Sequence, residues 1–428
     1  MMQQLLPLSV ADTEPPPPIL IDELIWEILS LLPVKSLVRF RCVCKSWKLT
    51  ISNPQFMKLH LRRSSAKAAA DFADSQVVVM TKRDHIAHSP LLSKFHIVHD
   101  ETFTADEPWP VHALREPFNQ PHVSICYAPS LFSSQNNDKL KGHCRLIGAC
   151  NGLVSVINEG YNSAESATKL SCCNLNPATK LRSQVSPTLS LCYKQFHSLI
   201  HSVFRIFGFG YDPLNDTYKV VVVFYHRNHL EHCMQSVANV YNMGDGCWRR
   251  IQSFPDFTRE HWGRGTAPDQ NGVYLNGTIN WVLRLNIAYD IISLDLGSEV
   301  CSRLSLPCFP PPGPKCVYDL PPILGVLKDS LCVLHNNNDK TFVIWKMNEF
   351  GAHESWTPLF NFDFKKEDLY RFDKFFFSEN DEVLLMTLTK QVLYNHSDIT
   401  FKFNDRVHNY IHDWNNIENY VESLVSPS

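Results

Sequence analysis

Between residues 19 and 56, apolar side chains recur at helical spacing. Leu24, Ile25, Ile28, Leu29 and Leu32 fall at i, i+3/i+4 positions, and Asp22 and Glu23 lie where a first helical turn favours negative charge. Pro33 ends that helix and suits the first position of the next. Leu37, Phe40, Val43, Cys44, Trp47 and Ile51 continue the stripe until Asn53-Pro54 closes it. Three helices in so short a stretch bury little area, so the unit is expected to rely on a partner for part of its stability. Residues 57–75, with Ala66 and Ala68–Ala70, read as a helical linker.

Beyond the linker the period changes to that of strands. The segments are Val77–Met80, Phe95–Val98, Cys144–Ile147, Leu153–Val156, Tyr218–Phe224, Val237–Tyr241, Val273–Leu275, Ile291–Leu294, Leu331–Leu334, Phe342–Trp345 and Val383–Leu388. They are short, rich in β-branched and aromatic residues, and punctuated by Asn151-Gly152, Asp212-Pro213 and Asn276-Gly277. No long helical pattern alternates with them, which argues against a parallel α/β sheet. A strand, a polar turn and a short second strand recur at Cys173–Lys180, Val240–Ile251, Ser293–Leu304 and Ile344–Thr357. The last three copies start about 50 residues apart, the size of one four-stranded propeller blade of the kelch kind. The predicted fold is α+β and multidomain: a small three-helix unit at 19–56, then an all-β, propeller-like domain at 76–415, with 1–18 a disordered Pro-rich leader and 416–428 a tail.

Composition narrows the function classes. Hydrophobic residues make up 44% and charged residues 19%, the balance of a folded chain, and the net charge of −3 offers no field to gather nucleic acid or an anionic membrane. The leader lacks Lys and Arg and ends in Pro15–Pro18, unlike a secretory signal, and no apolar run is long enough to span a bilayer. Fourteen cysteines then read as reduced thiols, and the sequons at Asn215, Asn276 and Asn395 carry little weight. The expected compartment is the cytoplasm and/or nucleus, without membrane or nucleic-acid partners.

The run Leu20–Trp47 resembles the F-box of plant F-box proteins, with the helix-breaking Leu32-Pro33 and the Val43-Cys44-Lys45-Ser46-Trp47 stretch in register. One departure is Ile21, where the family usually has proline. The resemblance implies docking on a Skp1-like adaptor, and through it on a cullin–RING scaffold. The residues it assigns to that contact are Leu20, Ile21, Leu24, Ile28, Leu29, Leu32, Pro33, Val34, Leu37, Phe40, Val43, Cys44 and Trp47. Lys35, Arg39, Arg41, Lys45 and Lys48, with no acid between Lys35 and Ser52, would face an acidic adaptor. Over roughly 144–362 the chain also resembles the F-box-associated domain of the same plant group. The matching pieces include Gly148–Leu153, Asn176–Lys180, Phe207–Pro213, Trp248-Arg249, Gly272–Gly277 with Trp281, and Glu354–Trp356; the tryptophan often found before Asn176-Pro177 is missing. The implied role is the substrate-selecting subunit of an SCF ubiquitin ligase, with the β domain holding an unidentified target protein.

A helix-turn-helix on DNA conflicts with the apolar second and third helices and the near-neutral chain. A sugar-binding or hydrolytic propeller, and an F-box scaffold outside a ligase, remain as alternatives. Gly148-Ala149-Cys150-Asn151-Gly152 has the shape of a nucleophile elbow, but a strand follows where the elbow needs a helix. His226, His229, His232 and Cys233 are zinc ligands by type, yet their spacing suits a polar hairpin loop, and the chain has no C-x-x-C. Gly208-x-Gly210 lacks the third glycine and the helix of a dinucleotide site. No catalytic residue, metal or cofactor is expected.

Overall fold

The structure is a computed structural model, described here for residues 22–70, 76–80, 85–90, 125–127, 143–162, 165, 167–192, 204–228, 233–258, 270–285, 288–307, 321–337, 341–363, 372–378, 382–386, 391–397, 400–404 and 417–427. The predicted strand at Phe95–Val98 lies outside them.

Four helices open the chain: α1 (Asp22–Ser30), α2 (Val34–Phe40), α3 (Lys45–Ile51) and α4 (Pro54–Ala70). Asn53 both closes α3 and caps α4, its Oδ1 accepting from the Gln55 N–H at 2.8 Å, with Pro54 in the first turn. The expected linker from residue 57 is therefore the body of α4, and α4 belongs to the helical unit. Phe56 is fully buried with Leu29, Val34, Leu37 and Ile51, and stacks edge-on to Trp26 at 5.2 Å between ring centres. The buried His60 donates from Nε2 to the Leu32 carbonyl at 2.8 Å, satisfying a carbonyl at the break between α1 and α2. The weak apolar periodicity of 57–70 hid this packing, because α4 contributes mainly a phenylalanine and a histidine.

The strands form six sheets among the described residues. The second sheet holds β4 (His143–Cys150), β5 (Leu153–Asn162), β6 (Ala167–Asn176), β7 (Leu181–Arg182) and β8 (Leu189–Cys192); the first opens with β1 (Gln76–Met80), β2 (His85–Pro90) and β3 (Ile125–Tyr127). The third has β9 (Phe204–Asp212), β10 (Thr217–Asn228), β11 (Cys233–Asn242), β12 (Cys247–Ile251), β13 (Phe257–Thr258) and the short parallel β14 (Gln270–Asn271). The fourth runs β15 (Val273–Leu275), β16 (Thr278–Leu285), β17 (Ala288–Asp295), β18 (Cys301–Ser305), and the fifth β19 (Ile323–Leu327), β20 (Ser330–Asn337), β21 (Thr341–Met347), β22 (Trp356–Asp363). The sixth is β23 (Lys374–Phe377), β24 (Glu382–Met386), β25 (Gln391–Asn395), β26 (Thr400–Asn404), and the last strand, β27 (Ile417–Tyr420), pairs antiparallel with β1.

The sheets are antiparallel meanders, apart from the parallel β14, and the first strand of each lies against that of the next, in the order β27, β4, β9, β15, β19 and β23. The circle closes where Lys374 of β23 meets Glu418 of β27 at 3.0 Å and donates to the Ile417 carbonyl. Among the described residues these sheets are six blades of a propeller, and the first blade takes its inner strand from residues 417–420. The four sequence repeats are the hairpins β6–β7, β11–β12, β17–β18 and β21–β22, the outer pair of four successive blades. Asn151-Gly152 and Asn276-Gly277 form two-residue hairpin turns with φ of 53° and 77°, and 42° and 86°, the left-handed pair that such turns require.

The expected tail at 416–428 is corrected by this closure. Its first residues are β27, and Ser423, Leu424 and Pro427 are buried. A strand of four residues with Glu418 and Asn419 at its centre carries too little alternation to be recognised alone.

The core lies between blades. Trp281 is buried against Ile206, Phe254 and Ile279, and its indole N–H donates to the Phe207 carbonyl at 2.7 Å. Gly208 leaves room for it: a Cβ there would lie 2.7 Å from Ile279 Cγ2 and 2.9 Å from Trp281 Cζ2.

Candidate functional site: the exposed face of the helical unit

The four helices sort the residues assigned to adaptor docking into three groups. Leu29, Val34 and Leu37 are buried in the helical core, so their contacts are internal and they are corrected from docking residues to core residues. Leu32, Phe40 and Trp47 pack half-buried on the rim of that core, with Phe40 and Trp47 meeting edge-on at 5.4 Å. Leu24 (52% exposed), Ile28 (52%) and Val43 (61%) stand in solvent, as do Pro33 and Cys44. Leu20 and Ile21 lie outside the described residues.

Two further large apolar side chains outside the assigned docking set are exposed, Leu31 (72%) and Leu49 (73%). Leu31 follows Leu24 by seven residues and Ile28 by three, so in the turn just past α1 it continues the helical spacing of those two exposed residues. That spacing was the available signal for Leu31. Leu49 had none, since α3 is apolar on more than one side. Exposed leucines, isoleucine and valine concentrated on one small unit make it the candidate interaction surface.

On α2, α3 and the turn between them the charge is of one sign, whereas α1 carries the exposed acids Asp22, Glu23 and Glu27. Lys35, Arg39, Arg41, Lys45 and Lys48 are exposed on α2, α3 and the turn between them. Cys44 caps α3, its sulfur accepting the Trp47 N–H at 3.5 Å. The acidic residues of α1 are partly committed elsewhere: Glu27 pairs with Arg63 of α4 at 2.7 Å, and Arg63 also donates to Ser30 Oγ.

The helical unit rests on one end of the propeller. Leu424 enters its core, Ala178 of the β6–β7 turn packs against it, and Lys58 of α4 pairs with Asp216 of the β9–β10 turn at 3.4 Å. Because strands alternate in direction, the turns joining first to second and third to fourth strands share that end of the propeller.

The remaining chemical candidates resolve as structure. Cys150 is buried and burial pushes its thiol up to about 12, so it is no thiolate nucleophile, and Asn151-Gly152 turns into β5. His226 is buried at the end of β10, while His229 and His232 lie outside the described residues. Among the described residues no group of three His, Cys, Asp or Glu side chains could hold a metal ion, and no helix is long and apolar enough to cross a membrane.

Two family models match the chain: an F-box domain over residues 18–59, and an F-box associated beta propeller domain over residues 142–427. The chain belongs to the F-box associated β propeller family. Its F-box match ends at residue 59, inside α4, in agreement with the helical packing. The F-box/kelch-repeat protein At3g23880 of Arabidopsis thaliana is 27% identical over 413 residues, covering 95% of both chains. The F-box protein CPR1 of the same plant is 24% identical over 354 residues, covering 79% of this chain and 71% of that one. Among solved structures, the β-propeller domain of the Trilobed protease from Pyrococcus furiosus overlaps 62% of this chain and 72% of its own at 11% identity, with a TM-score of 0.33. So loose an overlap leaves the architecture to rest on the strand pairing described above.

Three buried histidines make F-box and propeller stability depend on pH. Burial lowers the pKa of His60, against a hydrogen bond to Leu32 and the nearby Glu422 carboxylate. Burial likewise lowers His226 and His335. Trp345 donates its indole N–H to His335 Nε2 at 2.9 Å, and an imidazolium could not accept it. With folded values depressed, the unfolded chain binds protons first as pH drops below about 6.5, so stability is complete above that pH and is lost through the window beneath it. Thermal melts should fall from pH 7.5 to pH 5.5. His335→Gln, which keeps an acceptor for the indole but takes no proton, should shrink that fall; an equally steep fall would contradict the assignment.

Proposed function

We propose that this chain is the substrate-recognition subunit of an SCF ubiquitin ligase. Its F-box docks on a Skp1-type adaptor and so joins a cullin–RING scaffold, while the propeller holds a target protein for ubiquitin transfer. The observation that carries this reading is the set of exposed apolar side chains, Leu24, Ile28, Leu31 and Val43, on a basic four-helix unit fixed to one end of the propeller. Burial of these exposed apolar side chains supplies affinity, and the basic rim orients an acidic partner and speeds its approach.

The chain then acts by proximity. Holding a target beside a ubiquitin-charged enzyme raises the effective concentration of its lysines, and no acid, base or nucleophile of this chain is needed. The proposed location is the cytoplasm and/or nucleus, where adaptor and scaffold must be met. The reading is tested by reconstituting the full chain with adaptor, cullin–RING scaffold and ubiquitin-charged enzyme, and capturing targets from a plant extract. Target ubiquitination that requires the chain supports it. Ubiquitination at the same rate without the chain overturns it.

A further inference from the structure

The last residues of the chain join two parts of the molecule that lie far apart in sequence. β27 completes the first blade, with Tyr420 buried against Val78, Leu146 and Val154. Four residues later, Leu424 is buried in the F-box core beside Leu29, Val34, Leu37, Ile51 and Phe56. Four extended residues span at most about 14 Å, so the two anchor points are tied closely.

The path between them is built rather than incidental. Asn176, itself fully buried, donates from Nδ2 to the carbonyls of Ser423 at 2.9 Å and Val425 at 2.8 Å. Its Oδ1 accepts from the Ala178 and Thr179 N–H groups at 3.0 and 3.2 Å, which fixes the amide's orientation. The Ala178 N–H also reaches the Tyr420 hydroxyl at 3.1 Å. Gly152, at φ 77°, makes room on the other side: a Cβ there would fall 2.2 Å from Ser423 Oγ. Val425 then packs against the core between the second and third blades.

We propose that the C-terminal segment 417–425 makes a complete F-box conditional on a closed propeller. The F-box lies at the start of the chain, but one of its core residues is carried by the segment that closes the ring. A chain whose last strand is not paired with β1 loses one of the two anchors that flank Leu424 and leaves it to the Asn176 contacts and Val425 alone. Synthesis proceeds from the N-terminus, so the F-box stays one core side chain short until the propeller can close. The consequence for docking rests on the adaptor reading above; the coupling itself does not.

Hydrogen exchange on the full chain tests this. Wild type is compared with Leu424→Ala, with Asn176→Ala, which loosens the segment without entering the F-box core, and with the volume-conserving Leu424→Met. The expected result is exchange at least ~10-fold faster in α1–α3 for both alanine variants, with β16–β18 unchanged and Leu424→Met like wild type. F-box amides unchanged in both alanine variants would overturn the proposal, as would a uniform acceleration across all blades. In parallel, both alanine variants should bind a purified Skp1-type adaptor about 10-fold more weakly, as a fractionally populated docking state requires. A wild-type chain that binds no adaptor would overturn the proposed function and leave the exchange result standing.

Discussion

Replacing Lys219 by Met should cost the propeller about 3–5 kcal/mol, since removing one partner strands a buried charge. Lys219 is 2% exposed and its ammonium lies 3.1 Å from Asp212 Oδ2, whose side chain is fully buried, and 2.9 Å from Glu299 Oε1; it also donates to the Leu296 carbonyl. Burial opposes the charge on Asp212, but hydrogen bonds from Asn215 and Lys219 outweigh it and hold the carboxyl below its ordinary range. Methionine fills the same volume, so the loss measures charge and not a cavity. The group joins the β9–β10 turn to the β17–β18 turn, and thus the third blade to the fourth. Glu299 keeps a second partner, Arg249 at 3.2 Å, whereas Asp212 keeps only neutral donors. Lys58→Met breaks a largely exposed pair with Asp216 and should cost at most about 1 kcal/mol. Denaturant midpoints of the two variants decide the matter. A Lys219 variant no weaker than the Lys58 variant would contradict it, and adding Asp212→Asn to Lys219→Met should restore part of the loss.

Ile28→Asp combined with Val43→Asp should weaken adaptor binding by about 100-fold or more, the loss expected when two central apolar contacts become charged. Both side chains are more than half exposed, so the helices have no reason to unfold. Leu29→Asp provides the contrast. Leu29 is 1% exposed in the F-box core, and an unpaired carboxylate there should unfold the helical unit as well as abolish binding. Calorimetric titration with far-ultraviolet circular dichroism separates the two outcomes. A double variant that binds as tightly as wild type would remove Ile28 and Val43 from the docking surface. The rim of Lys35, Arg39, Arg41, Lys45 and Lys48 should appear as an association rate that falls with added salt.

The blades were legible because their signal is local. Alternating β-branched strands and Asn-Gly turns mark each hairpin, and the third and fourth strands repeat at a blade's length. The F-box was legible through Leu32-Pro33 and the Val43–Trp47 run. Which of its apolar residues face inward was not. Leu24 and Leu29 share the same periodic pattern, and only the packing of α4 and Leu424 decides that Leu29 is covered and Leu24 is not. Contacts between residues distant in sequence leave no periodicity. For the same reason, Lys219 meeting Glu299, and β27 meeting β1, emerge only from the folded chain.

The central claim is that this chain presents a working F-box. Its most direct test is calorimetric titration of the intact protein with a purified Skp1-type adaptor. The account predicts a one-to-one complex with a Kd of about 1 μM or tighter; no saturable binding with the adaptor in the tens-of-micromolar range, roughly ten times that Kd, would contradict it.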